Sequence, residues 1–430
     1  MDFFFRCPAS MESKLTSAVI PIIKGGLQDA IHDCHVLTLW WAGSSTSYAA
    51  PTFMGWNQPV ENSVSSICEA IERFDGVEFD LRLTSDGGIV LHHDREVKVA
   101  KDVRKTLTSK YVENNTLDDL MELGFDDFDD LISKPSFVER IAEQGCVACI
   151  ELKVPHPSSG KGGGWFGSSS KHMSELLAAV DQRLIDHGIP NQNTVFYSFH
   201  SKMWKIGQRA KSSRNVATLR PIVPPYGTRT IQRIRCFPQY LTLPLSRLVR
   251  WHRWDKSPMI PCALEYLVPP TNRLTLGTPV SLEGRGLKRL KKLSGGYPIY
   301  VWPGKIHLES KMLSAGLTPL TDVADPNLST LPCGTARWVK PATQPLDEMW
   351  FERLSKSEPM NHESIIAEAR SNLPHWHEMS DGERSKTLTT WRKRFSWNRS
   401  VEELESDSKT ATMPWEAVRI VGHRGCGKTD

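Results

Sequence analysis

Two carboxylates in one short run could act together. Glu78 and Asp80 alternate in GVEFDLRL, so in a β-strand both side chains would point to the same face. Two carboxylates on a buried face are unfavourable unless a cation accompanies them. Two cations could accompany them: Arg82, which would lie on the same face of the strand, or a bound metal ion.

Two further groups of reactive side chains also stand where apolar runs end. His92, His93 and Asp94 close the run GIVLHHD, and Glu151 and Lys153 follow CVACI. Glu151 would bring the carboxylate ligands to three, and hard oxygen ligands suit Mg²⁺ or Ca²⁺ better than a thiophilic metal. The histidines titrate near neutral pH, so they are candidates for proton transfer.

The elements that carry these groups alternate along the chain. Short β-rich runs are separated by helical stretches, a pattern that predicts an α/β fold with a parallel sheet and crossover helices. The number of units favours a closed TIM (β/α)₈ barrel over an open sheet. In such a barrel the catalytic residues lie at the C-terminal ends of the strands, where the groups above are predicted to stand.

The end of the chain carries another motif. Residues 422–429, GHRGCGKT, match the phosphate-loop pattern G-x-x-x-x-G-K-[ST]. A phosphate loop uses the N-terminus of the helix that follows it. If the chain ends at Asp430, no helix follows, and we expect these residues to serve another purpose.

Composition and charge indicate what kinds of partner and which cellular location to expect. The chain has 430 residues and a net charge of +4, which does not argue for a nucleic-acid partner. We expect no secretory signal at its N-terminus, and no apolar run in the chain approaches membrane-spanning length. Nine cysteines without framework spacing favour reduced thiols, so we predict a cytoplasmic location. Cys146 and Cys149 form a C-x-x-C within an apolar run, which indicates a core role.

The stretch from Val60 to Asp94 resembles the glycerophosphodiester phosphodiesterase family, and the resemblance extends to about Pro326. The matching pieces are Glu61-Asn62-Ser63, Glu78-Phe79-Asp80, Thr84-Ser85-Asp86-Gly87, His93-Asp94, Glu151-Leu152-Lys153, Ser198-Phe199, Trp302 and Thr321-Asp322. The family pattern opens with a strand that ends in G-H-R-G, but here that motif occurs only at 422–425. The resemblance therefore implies a circularly permuted barrel. The open alternatives are a truncated second copy and an unused strand.

Permutation would divide the chain into four parts. Residues 1–50 would be an N-terminal extension, and 51–330 would supply strands two to eight of the family's barrel. Residues 331–414 would form a helical insertion before the last strand. Residues 415–430 would supply the displaced first strand.

The resemblance also implies a role for each site residue. A divalent cation, Mg²⁺ or Ca²⁺, would be held by the three carboxylates, and two histidines would act as general base and general acid. His92 is the rival of His93, although the family spacing selects His93. Lys305 stands where the family often has Asn. The residues implied as metal ligands are Glu78, Asp80 and Glu151. Those implied as catalytic are His423, His93, Arg424 and Lys153, and those implied to bind the substrate are Phe199 and Trp302.

The implied function is metal-dependent hydrolysis of glycerophosphodiesters or of related (lyso)phospholipid headgroups. Two alternatives stay open: a phospholipase D or sphingomyelinase D-like lyase on the same barrel, and an inactive barrel used for binding or assembly. In the inactive version His423 would lie far from Glu78. A peripheral membrane contact is also open, through Trp165 and Phe166 or through the Arg-rich stretch 229–256.

Overall fold

The computed structural model describes residues 55–98 and 107–429. The predicted extension, 1–50, lies outside them. Across the described residues, no helix is both long enough and apolar enough to cross a membrane.

The strands form one sheet that curves into a barrel. They are β1 (Gly76–Leu83), β2 (Ile89–Leu91), β3 (Val147–Leu152), β4 (Thr194–Ser198), β5 (Asn215–Thr218), β6 (Ile260–Ala263), β7 (Ile299–Gly304), β8 (Thr318–Thr321) and β9 (Val421–Gly422). Eight of them are parallel neighbours in the order β5-β4-β3-β1-β9-β8-β7-β6, and β2 pairs antiparallel with β1. A parallel bridge between Arg220 and Cys262 joins the β5 and β6 edges. The predicted TIM barrel is confirmed.

Most helices alternate with the strands along the chain, and the last four follow one another between β8 and β9. They are α1 (Val64–Arg73), α2 (Leu117–Met121), α3 (Phe128–Ile132), α4 (Pro135–Ala142), α5 (Ser170–Asp186), α6 (Met203–Ala210), α7 (Arg229–Thr242), α8 (Leu245–Trp254), α9 (Thr271–Leu274), α10 (Gly284–Ser294), α11 (Glu309–Ala315), α12 (Glu348–Ser355), α13 (His362–Asn372), α14 (Asp381–Phe395) and α15 (Val401–Asp407). The last four lie in the segment predicted as a helical insertion.

Helix α1 illustrates how local sequence builds the barrel wall. The Ser63 side chain accepts a hydrogen bond from the backbone N–H of Ser66, which caps the helix. Ile67 and Ile71, spaced at i and i+4, are fully buried in the main core. The helix therefore lies against the strands with one apolar face.

The final strand, β9, lies inside the barrel wall. Val421 pairs with Gly76 of β1 on one side and with Leu320 of β8 on the other. Gly422 is paired in the same way with Val77 and Thr321. The strand thus fills the place between the first and last strands of a barrel, and the hypothesis of an unused strand is wrong.

Asp75 ties the final strand to the helical segment. Its fully buried carboxylate accepts hydrogen bonds from the N–H groups of Ala342, Thr343 and Ile420, and from the Thr343 hydroxyl. Burial raises the pKa of Asp75, while the hydrogen bonds from Thr343 and Ile420 favour its charged form. Because buried N–H groups need acceptors, one carboxylate fixes three backbone segments at the bottom of β1.

We expect Asp75→Asn to lower the free energy of unfolding by about 3 kcal/mol, because either orientation of the amide turns an NH₂ group toward backbone donors. Urea denaturation measures the change. The control is Glu122→Gln, which removes a charge from an exposed side chain and should cost less than about 0.5 kcal/mol. Equal losses in both variants would contradict the anchoring role.

Candidate active site

Three carboxylates meet at the C-terminal ends of β1 and β3. Asp80 is directly opposite Glu151 in the register of the two strands, and Glu78 lies two residues earlier on the same face. Each offers an oxygen within 4.8 Å of the others, and all three side chains are buried. The predicted cluster is therefore brought together by strand alternation and register.

The carboxylate of Asp80 is held from two sides. Asn62 Nδ2 donates to Asp80 Oδ2 at 2.9 Å, and the Asp80 N–H donates to Asn62 Oδ1 at 2.9 Å. Lys153 Nζ lies 3.1 Å from Asp80 Oδ1 and 2.6 Å from Glu151 Oε1. Burial alone would raise the pKa of Asp80, but Lys153 and other nearby cations hold it well below its ordinary value.

Glu78 and Glu151 have too little positive charge nearby to offset the burial of their carboxylates. Burial, followed by repulsion from Asp80 and Glu151, raises the pKa of Glu78 well above its usual range. Burial also raises the pKa of Glu151 to about 7, although Lys153 opposes the shift. A divalent cation would relieve this repulsion, and three carboxylate oxygens are the donors that Mg²⁺ and Ca²⁺ take. The cluster therefore fits the predicted cation.

Arg82 does not neutralise the cluster. Its Nη1 pairs with the buried carboxylate of Glu113, and its Nη2 donates to the backbone oxygen of His93 at 3.0 Å. The alternative in which Arg82 accompanies Glu78 and Asp80 is wrong. The reason is that Glu113, thirty-one residues away in sequence, captures the guanidinium.

His423 lies between two carboxylates. Its Nδ1 is 2.6 Å from Asp322 Oδ1, and its Nε2 is 3.7 Å from Glu78 Oε2. Burial opposes ionisation of Asp322, but the His423 contact lowers the pKa of Asp322 to about 2. The inactive version of the barrel, in which His423 would lie far from Glu78, is not what the structure contains.

Arg424 joins the terminal segment to the same cluster. Its backbone N–H donates to Glu78 Oε2 at 2.9 Å, and its Nη1 lies 2.9 and 3.0 Å from the two oxygens of Glu61. Its Nε is 3.6 Å from Asp80 Oδ2. Burial opposes the charge, yet Asp80 and Glu61 raise the pKa of Arg424 above its already high value. The guanidinium is held rigidly beside the carboxylates.

The backbone hydrogen bonds of the terminal segment contradict the phosphate-loop hypothesis. Three consecutive amides that would cradle phosphate already have acceptors: Arg424 N–H on Glu78 Oε2, Gly425 N–H on the Glu78 carbonyl at 3.0 Å, and Cys426 N–H on Ser66 Oγ at 2.8 Å. A loop with these donors engaged has none of them left for phosphate. The residues serve the barrel site instead.

The two adjacent histidines have different surroundings. His93 Nδ1 lies 2.8 Å from Asp94 Oδ1, and burial followed by the charge of Lys153 lowers the pKa of His93 well below its ordinary value. His92 packs edge-on against Phe125 at 4.6 Å between ring centroids, and burial lowers its pKa to about 4. The position beside Lys153 favours His93 over His92.

Phe199 and Trp302 meet above the interior of the barrel. Their ring centroids are 5.6 Å apart and nearly perpendicular. Both pack on the apolar layer that contains Leu320 and Val421. The indole Nε1 of Trp302 is buried and has no hydrogen-bond partner among the described residues. Lys305, three residues later, is exposed to solvent.

Sequence reasoning gave no role to three residues that position this site. Asn62 orients Asp80, Glu61 pairs with Arg424, and Asp322 orients His423. Asp322 directly follows β8, which pairs with β9. Placing the last strand beside β8 would therefore have identified it.

The match to a known family covers the first half of the barrel. Residues 43–234 match the model of the Glycerophosphoryl diester phosphodiesterase family. These residues of the chain are therefore similar to that family. The predicted family and its enzyme class, a glycerophosphodiester phosphodiesterase-like phosphoric diester hydrolase, are confirmed.

Solved structures of phosphodiesterases resemble the chain at low identity. A glycerophosphodiester phosphodiesterase from Thermotoga maritima is 16% identical over 57% of this chain and 80% of its own, with a TM-score of 0.32. One from Parabacteroides distasonis is 15% identical over 62% and 88%, with a TM-score of 0.38. An Oleispira antarctica phosphodiesterase, in complex with sn-glycerol-3-phosphate, is 14% identical over 60% and 86%, with a TM-score of 0.38. No curated protein matches the chain.

We expect Gly425→Ala to disrupt docking of the terminal segment in the phosphodiesterase-family barrel. Gly425 has φ +84°, and an added Cβ would lie 2.4 Å from Ser66 Oγ and 2.7 Å from the Ser66 carbonyl carbon. The backbone there cannot yield without moving α1, so the free energy of unfolding should fall by about 2 kcal/mol or more.

Gly382→Ala is the matched control, since nothing lies within 4 Å of the added Cβ in α14. Urea denaturation of both variants makes the comparison. Retention of full stability in Gly425→Ala, or an equal loss in both variants, would show that the terminal segment does not pack as described.

Proposed function

We propose that the protein hydrolyses glycerophosphodiesters or related (lyso)phospholipid headgroups with the help of a divalent cation. One observation carries the proposal: the terminal segment brings His423 to 3.7 Å from Glu78, in the carboxylate cluster of β1 and β3. A base, a guanidinium and a hard-ligand cluster at one place are the groups that phosphodiester cleavage requires.

Glu78, Asp80 and Glu151 would hold the cation. When bound, it would neutralise the diester anion and polarise its P–O bond. The raised pKa values of Glu78 and Glu151 support this assignment, because burial, and then repulsion from neighbouring carboxylates, disfavours their charged forms. Mg²⁺ and Ca²⁺ both fit an all-oxygen donor set.

Arg424 and Lys153 would hold the phosphate oxygens. The guanidinium of Arg424 is a planar fork that Glu61 pairs with at Nη1, and the backbone N–H of Arg424 is anchored on Glu78. Lys153 supplies a compact charge between Asp80 and Glu151. Both cations are buried, so their attraction for an anion is weakly screened.

Two histidine–aspartate pairs would move the protons. Asp322 holds Nδ1 of His423, and Asp94 holds Nδ1 of His93. Each ring thereby keeps Nε2 for the reaction. One imidazole would take the proton of the attacking water or substrate hydroxyl, and the other would give a proton to the departing alcohol oxygen. Phe199 and Trp302 would line the part of the site that contacts the alcohol.

We expect His423→Asn to reduce kcat/KM for glycerophosphocholine by about 10²- to 10⁴-fold, the usual contribution of a general acid or base. Glu78→Gln should abolish measurable turnover. His187→Asn, which changes an exposed histidine at the end of α5, is the control and should retain wild-type activity.

The products decide between hydrolysis and the lyase alternative. ³¹P NMR of a lysophosphatidylcholine reaction should show a phosphate monoester; a cyclic phosphate would assign the lyase activity instead. Full activity in His423→Asn would contradict the role of the terminal strand, and an inactive wild type on every diester would overturn the proposal.

We expect added Mg²⁺ or Ca²⁺ to raise Tm in the wild type, because a ligand at a hundred times its Kd stabilises by about 2.7 kcal/mol. Glu151→Gln should remove most of the shift, since it deletes one carboxylate donor without changing side-chain volume. Differential scanning calorimetry measures both proteins, with K⁺ as the control ion. An equal shift in Glu151→Gln would place the ion elsewhere.

A further inference from the structure

Basic residues are concentrated in one part of the chain. Residues 187–254 contain twelve Lys or Arg and no Asp or Glu, so the remainder of the chain carries a net charge of −8 against the whole chain's +4. Ten of these twelve side chains are exposed, on or next to α6, α7 and α8. Such asymmetry within a chain of low net charge indicates an anionic partner for one face.

Exposed apolar side chains occur at the same part of the barrel. On α7, Ile231 is 44% exposed and Ile234 is 62% exposed, next to Arg233 and Arg235. Nearby, Phe166 is fully exposed at the tip of the glycine-rich loop that follows β3. Aliphatic and aromatic side chains in water among arginines are the composition of a helix that lies on a membrane surface.

The loop that carries Phe166 is built to present it. The Gly167 N–H donates to the Gly163 carbonyl at 2.9 Å, and a Cβ on Gly167 would lie 2.5 Å from the Gly163 backbone. Only glycine fits where the two arms cross, so the turn closes and projects Trp165 and Phe166 from its tip. A hydrophobic tip on a closed turn is pre-arranged to enter an apolar layer.

Ring contacts connect this tip to α7. Trp165 packs on Tyr226 at 5.0 Å between ring centroids, and the Arg235 guanidinium lies 5.3 Å from the same Tyr226 ring. Arg95, which follows β2, donates to the backbone oxygen of Gly227. Because β3, β4 and β5 are neighbours, the connections after their C-terminal ends share one sector of the rim.

We propose that this rim sector, defined as Trp165, Phe166, Tyr226 and the exposed residues of α7, docks on an anionic phospholipid membrane. The arginines would meet the acidic headgroups, and Phe166, Ile231 and Ile234 would enter the interface. Charge complementarity selects an anionic surface, and the exposed isoleucines favour lipid over nucleic acid, where aliphatic side chains have no comparable contact.

Docking by this sector would turn the mouth of the barrel toward the bilayer. The sector and the carboxylate cluster share the C-terminal end of the strands. If the proposed hydrolytic function holds, on which this one step rests, the preferred substrate is a diester carried in the membrane, such as a lysophospholipid, rather than a free glycerophosphodiester.

The test is co-sedimentation of the full chain with vesicles of phosphatidylcholine alone and with phosphatidylserine added. We expect binding only to the anionic vesicles, weakened by salt. Phe166→Ser should reduce the affinity at least about 10-fold, the value of burying one such side chain. Met360→Ser is the control, because Met360 is 88% exposed but lies in the 331–414 segment.

A second pair of variants tests the charge. Arg229→Glu combined with Arg235→Glu should weaken binding to anionic vesicles by about 30-fold or more, since each cation near an anionic surface contributes about one kcal/mol. Lys386→Glu combined with Lys393→Glu makes the same charge change on exposed positions of α14 and should leave binding within about 2-fold.

The outcomes separate this inference from the hydrolytic proposal. Phe166→Ser should hydrolyse soluble glycerophosphocholine at the wild-type rate. An inactive protein that binds anionic vesicles overturns the hydrolytic proposal and supports docking. An active protein that binds no vesicle overturns docking, as does equal loss of binding in the control variants or capture by heparin without vesicle binding.

Discussion

The docking of a two-residue strand, Val421–Gly422, determines the rest of the site. The strand is bonded on both sides, to β1 and β8, and the chain then turns so that the next amides reach Glu78 and Ser66. Because a buried carboxylate and buried N–H groups need partners, Glu78 and the terminal segment hold each other in place. His423 meets Asp322 only as a consequence of this docking.

Charge balance is the second constraint. The site gathers four carboxylates, of Glu61, Glu78, Asp80 and Glu151, around two cations, Lys153 and Arg424. Two negative charges remain, and a divalent cation would balance them. Burial raises the pKa of both Glu78 and Asp80, but neighbouring charges separate them: Lys153 and other cations lower the pKa of Asp80, whereas Asp80 and Glu151 raise that of Glu78 further.

Local patterns were sufficient for the barrel and for much of the site. Alternation placed Glu78 and Asp80 on one face, and the order of strands and helices predicted a TIM barrel, which the sheet topology confirms. The partners that position the site were not predictable in this way. Arg82 pairs with Glu113, and Asp75 binds Thr343 across 268 positions of sequence, contacts that no local periodicity encodes. The final strand has only two residues, too few to show an alternating pattern of apolar side chains, and only its G-H-R-G motif indicated it.

The measurement that tests this account most directly is paramagnetic broadening of histidine side-chain resonances by Mn²⁺ in the wild-type protein. It reports whether a cation binds beside the terminal strand, whether or not a substrate is known. We predict that the signals of His423 and His93 broaden first, while those of His375 and His377 in the 331–414 segment stay sharp. A sharp His423 signal, with Mn²⁺ bound elsewhere, would contradict it.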